Sequence, residues 1–234
     1  MARRTAPRAS LAARAYGEGM QLSRARIISA AVDLIEREGV EAVSMRRIAA
    51  LLDCGVMSLY NHVPSKAALL DDVAERVISG IEFTATPGES WEEQVRAQAR
   101  AFRAIARKYP RSTMLVVSRP TPSETGLRPI ENALATLREA GCGGSDAVLI
   151  VRAFIAFIMG SLLREAGVTP GSRDDGADGT EATVQAGLLD PAQFPQVTSL
   201  AVELTRKDPD AEFEFGLDLL VHAIAALLPA APAH

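Results

Sequence analysis

Between Ser44 and Lys66 the chain reads Ser-Met-Arg-Arg-Ile-Ala-Ala-Leu-Leu-Asp-Cys-Gly-Val-Met-Ser-Leu-Tyr-Asn-His-Val-Pro-Ser-Lys, which brings an amide, hydroxyls and cations into one short stretch. With Val56, Met57, Ser58, Tyr60 and Asn61 pointing outward, the chemistry is that of reading a nucleic acid. Asn pairs by two hydrogen bonds with adenine, Val or Met meets a thymine methyl, and the Ser and Tyr hydroxyls bond to phosphate. Such a face needs two short helices held at a fixed angle. Ser44 can cap the first, which carries Ile48, Ala49, Leu51 and Leu52. Asp53, Cys54 and Gly55 make a tight break, and Val56 to His62 form the second. Two short helices about three residues apart are the helix-turn-helix arrangement, whose second helix enters the major groove. Ala49 is small where the two helices cross, and Leu52, Cys54 and Leu59 supply the apolar contacts that set their angle.

The rest of the chain repeats every three to four residues, and no segment shows a strand alternation flanked by hairpin turns. Ser23 can cap a helix with Ile27, Ala31, Leu34 and Ile35 on one face, ended by Gly39. Pro64 stops the third helix, and Ser65 can cap a fourth through Leu69, Leu70, Val73, Val77 and Ile81. Thr84 to Ser90 reads as a turn into a helix from Trp91 to Lys108, closed by Pro110. Pro120, Pro122 and Pro129 punctuate the connection to another helix from about Pro129 to Ala140. Gly141, Gly143 and Gly144 then precede Ser145 to Glu165, which is apolar nearly all round, as in a helix buried on more than one side. Residues 166–190 hold five glycines with Asp174, Asp175, Asp178 and Glu181, the composition of a mobile surface loop. Two last helices follow, from about Pro191 to Arg206 and from Asp210 to Leu228. The expected fold is all-α, with nine or ten helices.

Composition narrows the class. At 234 residues, 48% hydrophobic and 23% charged, the chain is an ordinary globular protein of one or two domains. Its net charge of −4 argues against an acidic partner until it is divided. Residues 1–66 hold ten Lys and Arg against six Asp and Glu, whereas the remainder holds 15 against 23. A basic end facing nucleic acid and an acidic remainder repelled by it fit that asymmetry. Cys54 and Cys142 lie far apart, and His62, His222 and His234 are scattered, so neither a disulfide framework nor a metal site is indicated. The arginines at 3, 4, 8 and 14 precede no long apolar run, as a secretory signal would require. Ala147 to Met159, interrupted by Arg152, is shorter than the roughly 20 residues that span a bilayer. A cytoplasmic protein without a membrane partner is expected.

The stretch Leu59-Tyr60-Asn61-His62-Val63-Pro64-Ser65-Lys66-Ala67-Ala68-Leu69-Leu70 resembles the TetR family of bacterial transcription regulators, which follows Leu-Tyr with one variable residue, an aromatic or His, and then Lys. The resemblance implies that Tyr60 and Lys66 touch phosphates and that Arg46 reaches bases or backbone. His62 is a packing or phosphate-contacting residue. The family usually has Gly at the turn, where this chain has Asp53, and often a Ser-type cap where it has Gly55. Asp tolerates the left-handed conformation and Gly is an acceptable cap, so a shifted turn is expected. Glu89-Ser90-Trp91, Arg119-Pro120-Thr121, Glu131-Asn132 and Phe215-Gly216-Leu217-Asp218-Leu219 extend the likeness to the family's tetracycline-repressor-like C-terminal domain, over about residues 22–228. It implies an N-terminal arm (1–21), a DNA-binding domain (22–66) and a domain for ligand binding and dimerisation (67–234). Two copies would meet in a four-helix bundle built from the helices near 145–165 and 210–228.

The same resemblance allows each ligand position to be checked. Leu115 stands where the tetracycline repressor has a magnesium-binding His, and Arg164 where the partner subunit supplies an acid through water. A chelated Mg²⁺ needs oxygen or imidazole ligands, so neither metal nor cofactor is expected. Gln98 and Phe102 keep an amide and an aromatic ring, Ser118 keeps a hydroxyl, and the family's second amide becomes Ala133. With Met114, Leu115, Ile130, Leu134, Val151 and Phe154 nearby, the expected pocket is mainly apolar with few polar anchors.

The expected function is that of a homodimeric repressor released from a palindromic DNA operator by a small molecule. The alternatives are an activator, a DNA-binding regulator without ligand control, and an enzyme. The last lacks a Gly-rich phosphate loop, a nucleophile elbow and a His-Glu metal motif. Arg152 has three open roles: pairing with an acid across the dimer, meeting an acidic ligand, or snorkelling to the surface. The arginine-rich arm is either a solvated tail or a source of added DNA contacts.

Overall fold

The computed structural model describes residues 22–82, 88–118, 123–165 and 190–228. Among them run α1 (Arg24–Glu38), a 3-10 turn (Val40–Ala42), α2 (Met45–Leu51), α3 (Val56–Tyr60), α4 (Lys66–Ile78), α5 (Trp91–Lys108), α6 (Pro110–Ser118), α7 (Glu124–Glu139), α8 (Gly144–Glu165), α9 (Pro195–Ser199), α10 (Ala201–Thr205) and α11 (Pro209–Leu227), with no strand. The expected arm and nearly all of the expected loop at 166–190 lie outside the described residues. Two compact units result. One takes the described residues up to Val77 together with 111–118, and the other takes the rest.

Serines start the helices of the first unit. The Oγ atoms of Ser23, Ser44 and Ser65 accept from the backbone N–H of Arg26, Arg47 and Ala68, each cap contributing about 1 kcal/mol. Ile27, Ala31, Leu34 and Ile35 form the fully buried face of α1. The unit is larger than the expected 22–66 segment because α4 belongs to it. Leu69, Val73 and Ala74 have no exposed surface, and the Arg24 guanidinium grips both oxygens of Asp72 at 2.9 and 2.7 Å, which ties α4 to α1.

As expected, the helix from Trp91 ends at Lys108 before Pro110, but no irregular connection follows: Pro110 begins α6. Proline has no N–H to lose at a helix start, and its φ is already set. The α1 carboxylate of Glu36 caps this helix by accepting from the backbone N–H of Ser112 at 2.8 Å and of Arg111 at 3.2 Å, a charge suited to the positive end of the helix. Pro129 likewise does not start a helix. Ser123 caps α7 through the Gly126 N–H, so Pro129 lies inside the helix and leaves out one backbone hydrogen bond. The helix expected from Pro191 to Arg206 is two short ones, α9 and α10, interrupted at Leu200. Thr198 and Ser199 donate their hydroxyls back to the carbonyls of Phe194 and Gln196, bonds that bend helices, and neither short helix buries a residue to counter this.

In the second unit, α5, α7, α8 and α11 share a core that includes Val95, Ala99, Ala106, Leu137, Ile158, Leu162, Phe213, Leu217, Val221 and Ile224. Ser90 and Glu93 form a reciprocal capping box at the start of α5. Along α5, Arg96, Arg100, Arg103 and Arg107 recur at helical spacing and face acids of α11. Arg96 pairs with Asp218 at 3.0 Å, Arg100 with Glu214 at 2.6 Å, and Arg103 and Arg107 both with Asp210. The Arg100 hydrogen bonds hold the Glu214 carboxyl below its ordinary range. These arginines are already counted in the remainder's balance, so its excess of acids stands outside the seam.

Helices α8 and α11 meet closely at Gly216. A Cβ there would stand 2.6 Å from Cζ of Phe157, whose ring stacks on Phe213 at 5.4 Å. Alanine would raise helix propensity by about 1 kcal/mol, but overpacking a filled core costs about 1–3 kcal/mol. Gly216→Ala is therefore expected to lower the thermal midpoint by about 2–4 °C in a circular-dichroism melt. An unchanged or raised midpoint would show that Phe157 yields freely.

Candidate functional site

Helices α2 and α3 are locked together by Ile48 and Leu59, with no exposed surface, and by Ala49, with 2%. Leu52 and Cys54 are half-buried beside them. At the turn, the Asp53 N–H donates to the Ala50 carbonyl and the Cys54 N–H to the Ala49 carbonyl, which satisfies the last acceptors of α2. This closure requires a left-handed residue between them, and Asp53 takes that role with φ of 50°. Gly55 has φ of −70°, open to any residue, and serves as the N-cap of α3, its carbonyl accepting from the Ser58 N–H at 2.9 Å. The turn is thus closed by Asp53, and α3 is capped by Gly55.

Burying Leu59 turns the opposite side of α3 outward. Met57 is 75% exposed and Tyr60 42%, and Gly55, Ser58, Asn61, Arg46 and Lys66 are exposed around them. Val56 and His62 are half-buried at the edges. Helix α3 stops at Tyr60, so Asn61 and His62 follow the helix end rather than extend it. Arg47 is occupied by Glu38 at 2.6 Å, whereas Arg46 and Lys66 have no ion-pair partner among the described residues. The result is a convex face with hydroxyls, an amide, a thioether and two available cations.

The second unit holds a partly open cavity of about 110 Å³, lined by Val95, Gln98, Ala99, Phe102, Pro129, Ile130, Ala133, Leu137, Val151, Phe154, Ile155 and Ile158. Six expected positions, Gln98, Phe102, Ile130, Ala133, Val151 and Phe154, meet around it. Four do not. Leu134 packs against the core beside the cavity without lining it. Met114, Leu115 and Ser118 belong to α6, which clusters with the first unit: Met114 is exposed, Leu115 is buried, and the Ser118 hydroxyl donates to the Leu115 carbonyl. The lining residues missed in the sequence carry a legible signal. Val95, Gln98, Ala99 and Phe102 are spaced i, i+3, i+4, i+7, and so are Val151, Phe154, Ile155 and Ile158, which puts each set on one helical face.

Leu115 and Arg164 offer nothing to a metal. The former is apolar, and the latter pairs with Glu212 at 3.0 Å. No group of three metal-ligating side chains occurs among the described residues.

Comparison with known proteins agrees with both halves of this geometry. The description "Bacterial regulatory proteins, tetR family" matches residues 27–73, and "Tetracyclin repressor-like, C-terminal domain" matches residues 84–228. The HTH-type transcriptional repressor DrrR1 of Streptomyces coeruleorubidus is 29% identical over 209 residues, which are 87% of this chain and 77% of that protein. Tetracycline repressor protein class C of Escherichia coli is 27% identical over 203 residues, 86% of this chain and 90% of that one. The crystal structure of the Streptomyces coelicolor TetR family protein ActR in complex with actinorhodin matches with a TM-score of 0.73 at 28% identity, covering 88% of this chain and 98% of the other. The C-terminal match alone spans more than half the chain, so the protein belongs to the TetR family and is a DNA-binding transcriptional regulator, not an enzyme.

Proposed function

We propose that the protein is a homodimeric repressor that leaves its operator when a small apolar molecule fills the cavity lined by Gln98 and Phe102. The observation that carries the DNA half is the exposed Met57–Tyr60 face on a helix whose opposite side is anchored by fully buried Leu59. In this reading α3 enters the major groove, Met57 and Asn61 meet base edges, Tyr60 and Lys66 hold phosphates, and Arg46 reaches the groove or backbone. The protein works where bacterial DNA lies, in the cytoplasm.

Dimerisation is the proposed use of the apolar surface left open on α8 and α11. Leu149 is 60% exposed, Phe215 68% and Leu219 57%, and the same two helices carry exposed alanines at 153, 156, 223 and 226. Helix α8 is also the one described helix long and apolar enough to cross a bilayer, its full 22 residues exceeding the apolar run read from the sequence. A second copy suits it better than lipid. Arg152 sits exposed in mid-helix, and small residues on the same face allow close helix approach. Phe215→Glu is expected to give a monomer in analytical ultracentrifugation and to weaken DNA binding by about 100-fold or more, because one half-site contact replaces two. A stable Phe215→Glu dimer would place the interface elsewhere.

Ligand control requires that the effector bind the DNA-free state more tightly, and by linkage DNA must weaken effector binding by the same factor. The test is a gel shift of the DNA upstream of the protein's own gene, repeated against a library of apolar small molecules. Saturable release by one compound is the expected result. A shift that resists every compound, including those that bind the protein, would leave a regulator without ligand control.

A further inference from the structure

Among the described residues the cavity has one polar side chain in its lining, Gln98, and the residues behind it dictate which end of that amide a ligand meets. Gln94 comes first. Its Nε2 donates to the Glu89 backbone carbonyl at 3.1 Å, so its Oε1 is the end that faces the Thr136 hydroxyl, at 3.3 Å. The Asn132 carbonyl approaches the same hydroxyl at 3.0 Å. A threonine hydroxyl has one proton to give and lone pairs to receive with. Two acceptors already compete for that proton, so any third neighbour of Thr136 Oγ1 must be a donor. Gln98 fills this place with Nε2 at 2.9 Å. Thr136 is only 4% exposed, which keeps water from substituting.

From this chain of bonds we infer that Thr136 is a positioning residue that locks the Gln98 amide with its carbonyl oxygen free for the ligand, so that the pocket selects uncharged apolar molecules bearing a hydroxyl or N–H donor. Gln98 Oε1 has no partner among the described residues. Among the described residues no Lys, Arg, Asp or Glu lines the cavity, so a charged group entering it would lose its hydration without compensation from them. The donor preference rests on the pocket assignment proposed above, and the experiment separates the two.

The probes are 1-naphthol and 1-methoxynaphthalene, which share a ring system but differ in having or lacking a donor. Binding to the full-length protein is measured by isothermal titration calorimetry. The wild type is expected to bind the naphthol about 5-fold more tightly, the size of one net neutral hydrogen bond. Thr136→Val, of the same shape without the hydroxyl, frees the amide to turn and is expected to abolish the preference while the methoxy compound keeps its affinity. Thr136→Ser should restore the preference. A purely structural role would weaken both probes together. Equal affinities in the wild type, parallel losses in Thr136→Val, or a preference that survives it would overturn the inference. If neither probe binds, or both still bind after Ala133→Phe fills the cavity, the pocket assignment itself fails.

Discussion

Arg103→Met is expected to lower the free energy of unfolding by about 3 kcal/mol, the cost of breaking a buried ion pair from one side. Arg103, in the α5–α11 seam, is 7% exposed. Its guanidinium bonds to Glu165 and to the Pro209 carbonyl, pairs with Asp210 at 2.9 Å, and lies 4.2 Å over the ring of fully buried Phe213. Methionine would keep the aliphatic packing on Phe213 but leave the Glu165 carboxylate, 14% exposed, to Arg107 alone. Asp210 would lose little, because at 68% exposure water replaces the pair. The carboxylate left behind, not the lost attraction, sets the size of the effect. Urea unfolding of Arg103→Met and of the double variant Arg103→Met/Glu165→Leu distinguishes these terms. The double variant is expected to recover part of the loss. A single variant within about 0.5 kcal/mol of the wild type would show that Arg107 satisfies Glu165 by itself.

The largest effect on function is expected on the DNA face. Lys66→Ala and Tyr60→Ala should each weaken DNA binding about tenfold and leave thermal stability unchanged, since both side chains are exposed. Salt separates their roles. Removing a cation that neutralises one phosphate reduces the slope of log K against log salt by about 0.9, whereas removing a neutral hydroxyl leaves the slope alone. Lys66→Ala is thus expected to flatten the salt dependence and Tyr60→Ala to shift the line in parallel. Both losses should appear on every DNA sequence, because phosphates carry no base information. An unchanged slope for Lys66→Ala would remove Lys66 from the backbone contacts.

How far the sequence could be read depended on whether a signal was local. The serine caps at 23, 44 and 65, the break at Asp53 and the anchor Leu59 are each set by neighbours within a turn, and the residue types alone disclosed them. Prolines misled because their meaning is positional. Pro110 reads as a stop and follows the end of α5, yet it also starts α6, and Pro129 reads as a start, yet lies inside α7. The decisive partners, Glu36 for α6 and Ser123 for α7, differ in kind: the first is distant in sequence and the second stood unused among the prolines at 120 and 122. The Arg96–Arg107 stripe was legible as a period but not as a seam, because its acids lie more than 100 residues away. The same holds for the polar relay of Gln94, Gln98 and Thr136, which joins two helices through side chains whose pairing no local pattern records. The ligand positions on α6 are not among the residues that line the cavity of the second unit. Likeness to a family transfers a position along the chain, whereas the wall of a cavity depends on which helices pack together.

Charge tells a similar story. The excess of arginine in residues 1–66 singles out the DNA-facing end, but within the described part of that segment Arg24 and Arg47 are engaged by Asp72 and Glu38. The cations left to meet phosphate in the helix-turn-helix are fewer than the count implies, which raises the weight placed on Arg46 and Lys66.

Two copies of the exposed α3 face are expected to read DNA by sequence, and selection of bound fragments from random-sequence duplex by the purified protein checks this. The expected result is enrichment of a two-fold symmetric sequence whose half-sites lie about one helical turn apart or a little more. Recovery of no common sequence, or of a single site without symmetry, would contradict it.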